Sequence, residues 1–222
     1  KSTLALLASA VAARTADDKC RVLALSSGDE DAAYQAGALK GIVTSDKLAP
    51  EDYQYDSVTG VSGGALNAVL LANHTKGEEP AAADRMEKFW VDASNSKLYK
   101  NWLGGIARGL FFEGGLYNSA PLEDFLKKEF IDVNIKRSLD LGIVDVLDGD
   151  YKDFSDKNIT QGGNLIDAMY ASMSFAGFFP PAEVLGSSWF DGSAVWDLDI
   201  FSGVNRCKEA GFAESDIIVD VI

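Results

Sequence analysis

The chain has 222 residues, 47% of them apolar, and 34 acidic side chains against 20 basic ones give a formal net charge of -14. This is enough apolar material for one substantial core, so a single domain is expected. The negative balance repels phosphate backbones and leaves no basic stripe, which argues against nucleic acid as a partner; transient contact with a membrane surface would have to come from apolar side chains.

The first residues combine one positive charge in Lys1-Ser2-Thr3, an apolar stretch from Leu4 to Ala13 and the small-residue pattern Ala10-Val11-Ala12. This predicts a signal-peptide remnant over residues 1–16 and one domain over 17–222, hence a secreted or endomembrane-lumen location. An amphipathic helix packed on the domain is the other reading. The stretch is too short to span a bilayer, and without an initial Met the sequence is expected to begin part-way into a precursor. Two cysteines, Cys20 and Cys207, allow one disulfide in an oxidising compartment, although spacing does not decide whether they meet. Asn73-His74-Thr75 and Asn158-Ile159-Thr160 are acceptor sequons and support secretion only weakly.

Cys20 to Ser26 is a short apolar run ending in turn residues, which predicts a buried strand. Ala36, Leu39 and Val43 recur at helical spacing between Ala32 and Ser45. A second strand is expected over Tyr55 to Thr59 and a helix over Ala65 to Ala72. This β-α-β-α order predicts an α/β fold, a mainly parallel central sheet layered between helices. Ala81 to Ser94 reads as a helix whose Met86, Phe89 and Trp90 belong to the core. The glycine- and aromatic-rich stretch from Asn101 to Asn118 is expected either to rim a binding cleft or to be an irregular buried connection. Pro121 to Phe130 reads as a short helix, Ile143 to Leu147 as a strand, and Asp148 to Asn158 as a solvated acidic turn. Lys152 stands where a calcium loop would need a ligand after Asp148 and Asp150. Asp216 to Ile222 reads as a strand, and since a sheet strand is an unusual terminus the sequence is expected to continue beyond it.

The most informative feature is Gly60-Val61-Ser62-Gly63-Gly64, set between a strand-like and a helical run as in a nucleophile elbow. Flanking glycines permit a sharp, strained turn that lifts the Ser62 hydroxyl, and the helix opening at Gly63 turns its free amides and positive dipole end toward it. A turn serine that caps its helix is the bland alternative. The single histidine, His74, lies twelve residues on. On one helix that is about 18 Å away, against the ~3 Å a general base needs. If Ser62 is a nucleophile, a carboxylate must therefore activate it. Asp191, in Trp189-Phe190-Asp191-Gly192-Ser193, sits where an aromatic strand end runs into a glycine turn that can hold it rigidly; a turn aspartate bonding its own backbone is the alternative.

Four segments in this order resemble the patatin-like phospholipases over nearly all of residues 20 to 222. They are Arg21 to Ser26 with Ala33 to Leu39, Gly60 to Ala68, Gly115 to Leu122, and Ala171-Ser172 through Phe178-Phe179-Pro180-Pro181 before Asp191-Gly192. The resemblance implies lipid ester hydrolysis by a Ser-Asp dyad through an acyl-serine intermediate, with Ser62 as nucleophile and Asp191 as its base. It also implies Gly60 and Gly64 in the elbow, Gly192 in the dyad turn, and Gly28 and Asp29 in the oxyanion loop. A lipid or phospholipid substrate follows, and no metal or organic cofactor is implied; the oligomeric state does not follow. Ser27-Gly28-Asp29-Glu30-Asp31-Ala32 departs from the family's glycine run and following basic residue. Fixed negative charge there opposes oxyanion stabilisation, so a catalytically impaired lipid-binding or storage protein is the alternative. Ser193 and Ala176 are smaller departures.

Overall fold

Strand β1 (Cys20–Leu25) is buried along its whole length, as expected of a central parallel strand covered on both faces. A computed structural model describes residues 18–159 and 164–222; the expected signal remnant over 1–16 and Thr160 of the second sequon lie outside them. After β1 come a 3-10 turn (Asp29–Ala32), α1 (Ala33–Val43), β2 (Ser57–Val61), α2 (Gly63–Ala72) and α3 (Glu79–Ala93). A short α4 (Gly105–Arg108) runs into a π-helical turn (Gly109–Glu113), followed by α5 (Ala120–Phe130), β3 (Ser138–Asp145), β4 (Tyr151–Ser155), α6 (Asp156–Ile159) and α7 (Leu165–Ser172). The hairpin β5 (Ala182–Val184) and β6 (Ser187–Asp191), then α8 (Phe201–Glu209) and β7 (Ile217–Val221), complete the order.

The seven strands form one mixed sheet in which β7, β1, β2 and β3 are parallel and β4, β5 and β6 pair antiparallel. Alternation along β1 sorts its two faces. Leu23 and Leu25 join the main core with residues of α1, α2, α3, α5 and α7. Cys20 and Val22 face α8, where Gly203 lies directly against Val22 and Cys20 is joined to Cys207 by a disulfide. The result is the expected three-layer α/β arrangement.

The register around β3 decides where the site forms. Asp140, Leu141 and Gly142 pair with both β2 and β4, and Ile143 and Val144 with both β4 and β6. A strand has two edges, so β2 and β6 share one edge of β3, in succession. Running in opposite directions, they end head to head.

Two expectations need correction here. The strand expected over Ile143 to Leu147 is β3 and begins at Ser138. Its start is disguised by Asp140, a buried carboxylate that accepts from Arg206 Nε at 3.1 Å. The solvated acidic turn expected over Asp148 to Asn158 contains β4 and α6. Phe154 packs edge-on against Trp189 at 5.1 Å, so only the stretch before Tyr151 is a turn.

Candidate active site

Val61 ends β2 opposite Gly142, and the chain then turns through Ser62 at φ 54° and ψ -123°, a conformation strained for a residue with a Cβ. Glycine is required around it by space. A Cβ on Gly60 would lie 2.5 Å from the Gly64 carbonyl oxygen, and one on Gly64 would lie 2.6 Å from the Leu25 oxygen. One on Gly63 would fall 2.5 Å from the Asp29 oxygen and 3.1 Å from its amide nitrogen. The amino end of α2 therefore presses against the backbone of the β1–α1 loop.

Asp191 ends β6 opposite Ile143, one residue along β3 from the partner of Val61. The head-to-head meeting of β2 and β6 thus brings together residues 62 and 191, both buried. Gly192 makes that approach possible, because a Cβ there would stand 2.7 Å from the Gly142 carbonyl carbon. The Ser174 carbonyl accepts from the Asp191 amide at 3.0 Å, and Asp191 Oδ1 accepts from the Ser193 amide at 2.8 Å. Asp191 Oδ2 is buried and accepts no hydrogen bond. Burial lifts the Asp191 pKa to about 6; the Ser62 hydroxyl and the Ser193 amide pull it down, and the Asp29 charge pushes it up.

Gly28 has an extended φ of 166°, whereas Asp29 stands at φ 44°, in the left-handed region that a glycine would tolerate freely. Asp29 and Glu30 line the same cleft as Ser62, and the Asp29 pKa is raised by burial and by the charges of Glu30 and Asp31. The acidic loop does face the site.

Two residues hold this arrangement that sequence reasoning gave no role. Ser172 Oγ accepts from the Ser62 amide at 3.0 Å and donates to the Gly142 carbonyl at 2.7 Å, locking the elbow to β3. Asn67 Nδ2 donates to the Ala32 carbonyl and Gln35 Oε1, both at 2.9 Å, while its oxygen accepts from Trp90 Nε1 at 2.8 Å. Both lay inside the resemblance segments, but only the contacts reveal their work. His74 lies beyond the far end of α2, with Nδ1 2.9 Å from the Leu70 carbonyl. It takes no part in the site.

The cleft over Ser62 has a volume of about 920 Å³ and a mostly apolar wall that includes Leu66, Phe89, Leu122, Phe125, Met173 and Phe178. Phe89 and Trp90 are thus cleft wall as well as core. The stretch from Asn101 to Asn118 contributes none of the lining; the rim comes from Tyr99 and from Phe175 to Phe179 instead. Among the described residues, no group of three or more His, Cys, Asp or Glu side chains is placed to hold a metal.

An elbow serine facing a turn aspartate beneath an apolar cleft agrees with the sequence comparison, in which the profile described as Patatin-like phospholipase matches residues 23–200. This chain belongs to that family. Its members are lipid acyl hydrolases, and the matched span contains the Ser62 turn, the Asp191 turn and the acidic loop. No curated protein matches the sequence. Among solved structures, the crystal structure of VipD from Legionella pneumophila aligns with a TM-score of 0.41 at 10% identity, covering 94% of this patatin-like chain and 52% of its own. The chain therefore spans about half the length of that protein.

Proposed function

We propose that this patatin-like domain hydrolyses carboxylic esters of lipids or phospholipids, with Ser62 as nucleophile and Asp191 as the only base. The observation that carries the reading is the buried, unused Oδ2 of Asp191 beside the strained Ser62 turn. In the proposed cycle Asp191 takes the Ser62 proton as Oγ bonds to the ester carbonyl carbon. The amides of the Gly28–Asp29 loop and the amino end of α2 receive the charge that develops on the carbonyl oxygen. The alcohol portion leaves with the proton from Asp191, and water, activated by the same carboxylate, releases the fatty acid. A pKa near 6 suits the role: the group is mostly ionised at neutral pH and still basic enough to accept a proton. The apolar cleft has room for an acyl chain. The Cys20–Cys207 disulfide supports the secreted or lumenal location, since such bonds persist in oxidising compartments.

Asp29 favours a second reading, a lipid-binding relative with impaired chemistry, because its charge lines the cleft near the expected oxyanion. Hydrolysis of a short-chain ester by purified protein, with Ser62→Ala and fluorophosphonate labelling alongside, decides between them. The enzyme reading expects labelling at Ser62 and loss of turnover in the variant. Equal rates for the two proteins reject it.

A further inference from the structure

The stretch once expected to rim the cleft projects outward. Leu103, Phe111 and Phe112 are 91%, 78% and 83% exposed, with Ile106 and Leu110 also exposed beside them. Five exposed large apolar side chains between residues 103 and 112 have no gain from facing water, so a partner surface is implied. Glycines in the left-handed region bracket the turn, Gly104 at φ 109° and Gly105 at φ 70° before it and Gly114 at φ 77° after it. The base is firmly fastened. Trp102 Nε1 donates to the Gly115 carbonyl at 3.1 Å, and the Leu116 and Tyr117 amides donate to the carbonyls of Gly177 and Phe178 at 3.1 and 3.0 Å. Phe178 is cleft wall, so the projection is joined directly to the mouth of the candidate active site.

Charge identifies the occupant. Between Asn95 and Asn118 stand three cations, Lys97, Lys100 and Arg108, against one carboxylate, Glu113, in a chain whose net charge is -14; Arg108 Nε pairs with Glu113 at 2.6 Å, so Lys97 and Lys100 carry the local positive excess. Bulky apolar side chains on a helical turn, with local positive charge beside them, match an interface whose interior is hydrocarbon and whose headgroups are anionic. Among the described residues no helix is long and apolar enough to cross a membrane.

We propose that residues 103–112 dock this domain on an anionic lipid surface, inserting Leu103, Phe111 and Phe112 beside the cleft mouth so that an acyl chain passes from the surface to Ser62. This rests on the lipid hydrolase reading for its purpose but not for its test. The Ser62→Ala protein is sedimented with vesicles of phosphatidylcholine and phosphatidylglycerol, and with vesicles of phosphatidylcholine alone. Binding to the anionic vesicles is expected, weaker binding to the neutral ones, and a loss of about tenfold or more when Phe111→Asp and Phe112→Asp are added. Lys100→Glu with Arg108→Glu should remove the preference for anionic vesicles. The phenylalanine substitutions, made in the native protein, should leave hydrolysis of a soluble short-chain ester unchanged, because neither residue lines the cleft. Vesicle binding that ignores both pairs of substitutions overturns the proposal. So does an absence of vesicle binding combined with a concentration-dependent dimer that Phe111→Asp and Phe112→Asp dissolve, which would assign the projection to a second copy. Failure of the native protein to cleave the soluble ester, with vesicle binding intact, would count against the hydrolase reading and leave the docking surface standing.

Discussion

Asp191→Asn should make the protein more stable while removing its activity. Burial lifts the Asp191 pKa from 3.8 to about 6, so the folded state holds the ionised carboxylate at a disadvantage. At 1.36 kcal/mol per unit, a shift of roughly two units corresponds to about 3 kcal/mol. The sign follows from proton binding: between pH 3.8 and about 6 the native chain holds this proton more tightly than the unfolded chain, so this group's share of stability falls as pH rises through that window. Asparagine keeps the acceptor for the Ser193 amide and carries no charge. Its advantage should therefore be absent below the unfolded pKa, grow through the window, and level off above pH 6 at up to about 3 kcal/mol. For a chain of this size that raises Tm by about 6–12 °C. Urea and thermal unfolding of both proteins across the pH range measure the difference, in which the other titrating groups cancel. Ester turnover should fall about 10²–10⁴-fold with the loss of the base. A variant no more stable than the native chain at pH 8, or equally more stable at pH 3.5, would refute the desolvation argument.

Replacing the acidic loop by Asp29→Gly, Glu30→Ala and Asp31→Lys should raise kcat/KM by roughly tenfold or more and relieve about 1–2 kcal/mol of backbone strain at residue 29; an unchanged rate in an active protein would show that the charge does not reach the oxyanion. Ser172→Ala leaves the Ser62 amide and the Gly142 carbonyl short of partners. It should cost about 2–4 kcal/mol and lower kcat while KM holds, measured by unfolding and steady-state kinetics on one preparation. Reducing the Cys20–Cys207 bond, which closes a separation of 187 residues, should destabilise the fold by about 2–4 kcal/mol, seen as a lower urea midpoint with reductant present.

What was legible in the sequence was local. The burial of β1, the glycine spacing around Ser62 and the aromatic run ending in Asp191 each follow from neighbours within a few positions, and the structure places strand, turn and strand end there. What was hidden is carried by long-range pairing. The partner that lets the Asp140 carboxylate sit inside β3, Arg206, lies 66 residues away, so the local pattern places the strand start only at Ile143. Ser172 acts across 110 residues on the Ser62 amide, and no spacing rule connects the two. Composition also gives no direction: the aromatics between Asn101 and Asn118 have the chemistry of a cleft wall, yet Phe111 and Phe112 stand exposed while Trp102 and Tyr117 pack inward.

If Asp191 is the base, as proposed, the register around β3 accounts for a site that works without histidine. A free imidazole titrates near 6.5, which suits it to general base work at neutral pH, whereas an exposed aspartate at about 3.9 is too weak a base. Strand pairing places Asp191 at the meeting of β2 and β6, out of water, and burial carries its pKa into the imidazole range. Burial alone would overshoot, because a fully desolvated carboxyl rises by several units and stays protonated. The Ser193 amide and the Ser62 hydroxyl oppose that rise, while Asp29 adds to it. The pKa of the aspartate is thus a balance of burial against the polar groups of Ser62 and Ser193. In the proposed cycle Asp29 would weaken the site twice over: it would face the charge developing on the ester carbonyl, and it pushes Asp191 further toward its protonated form.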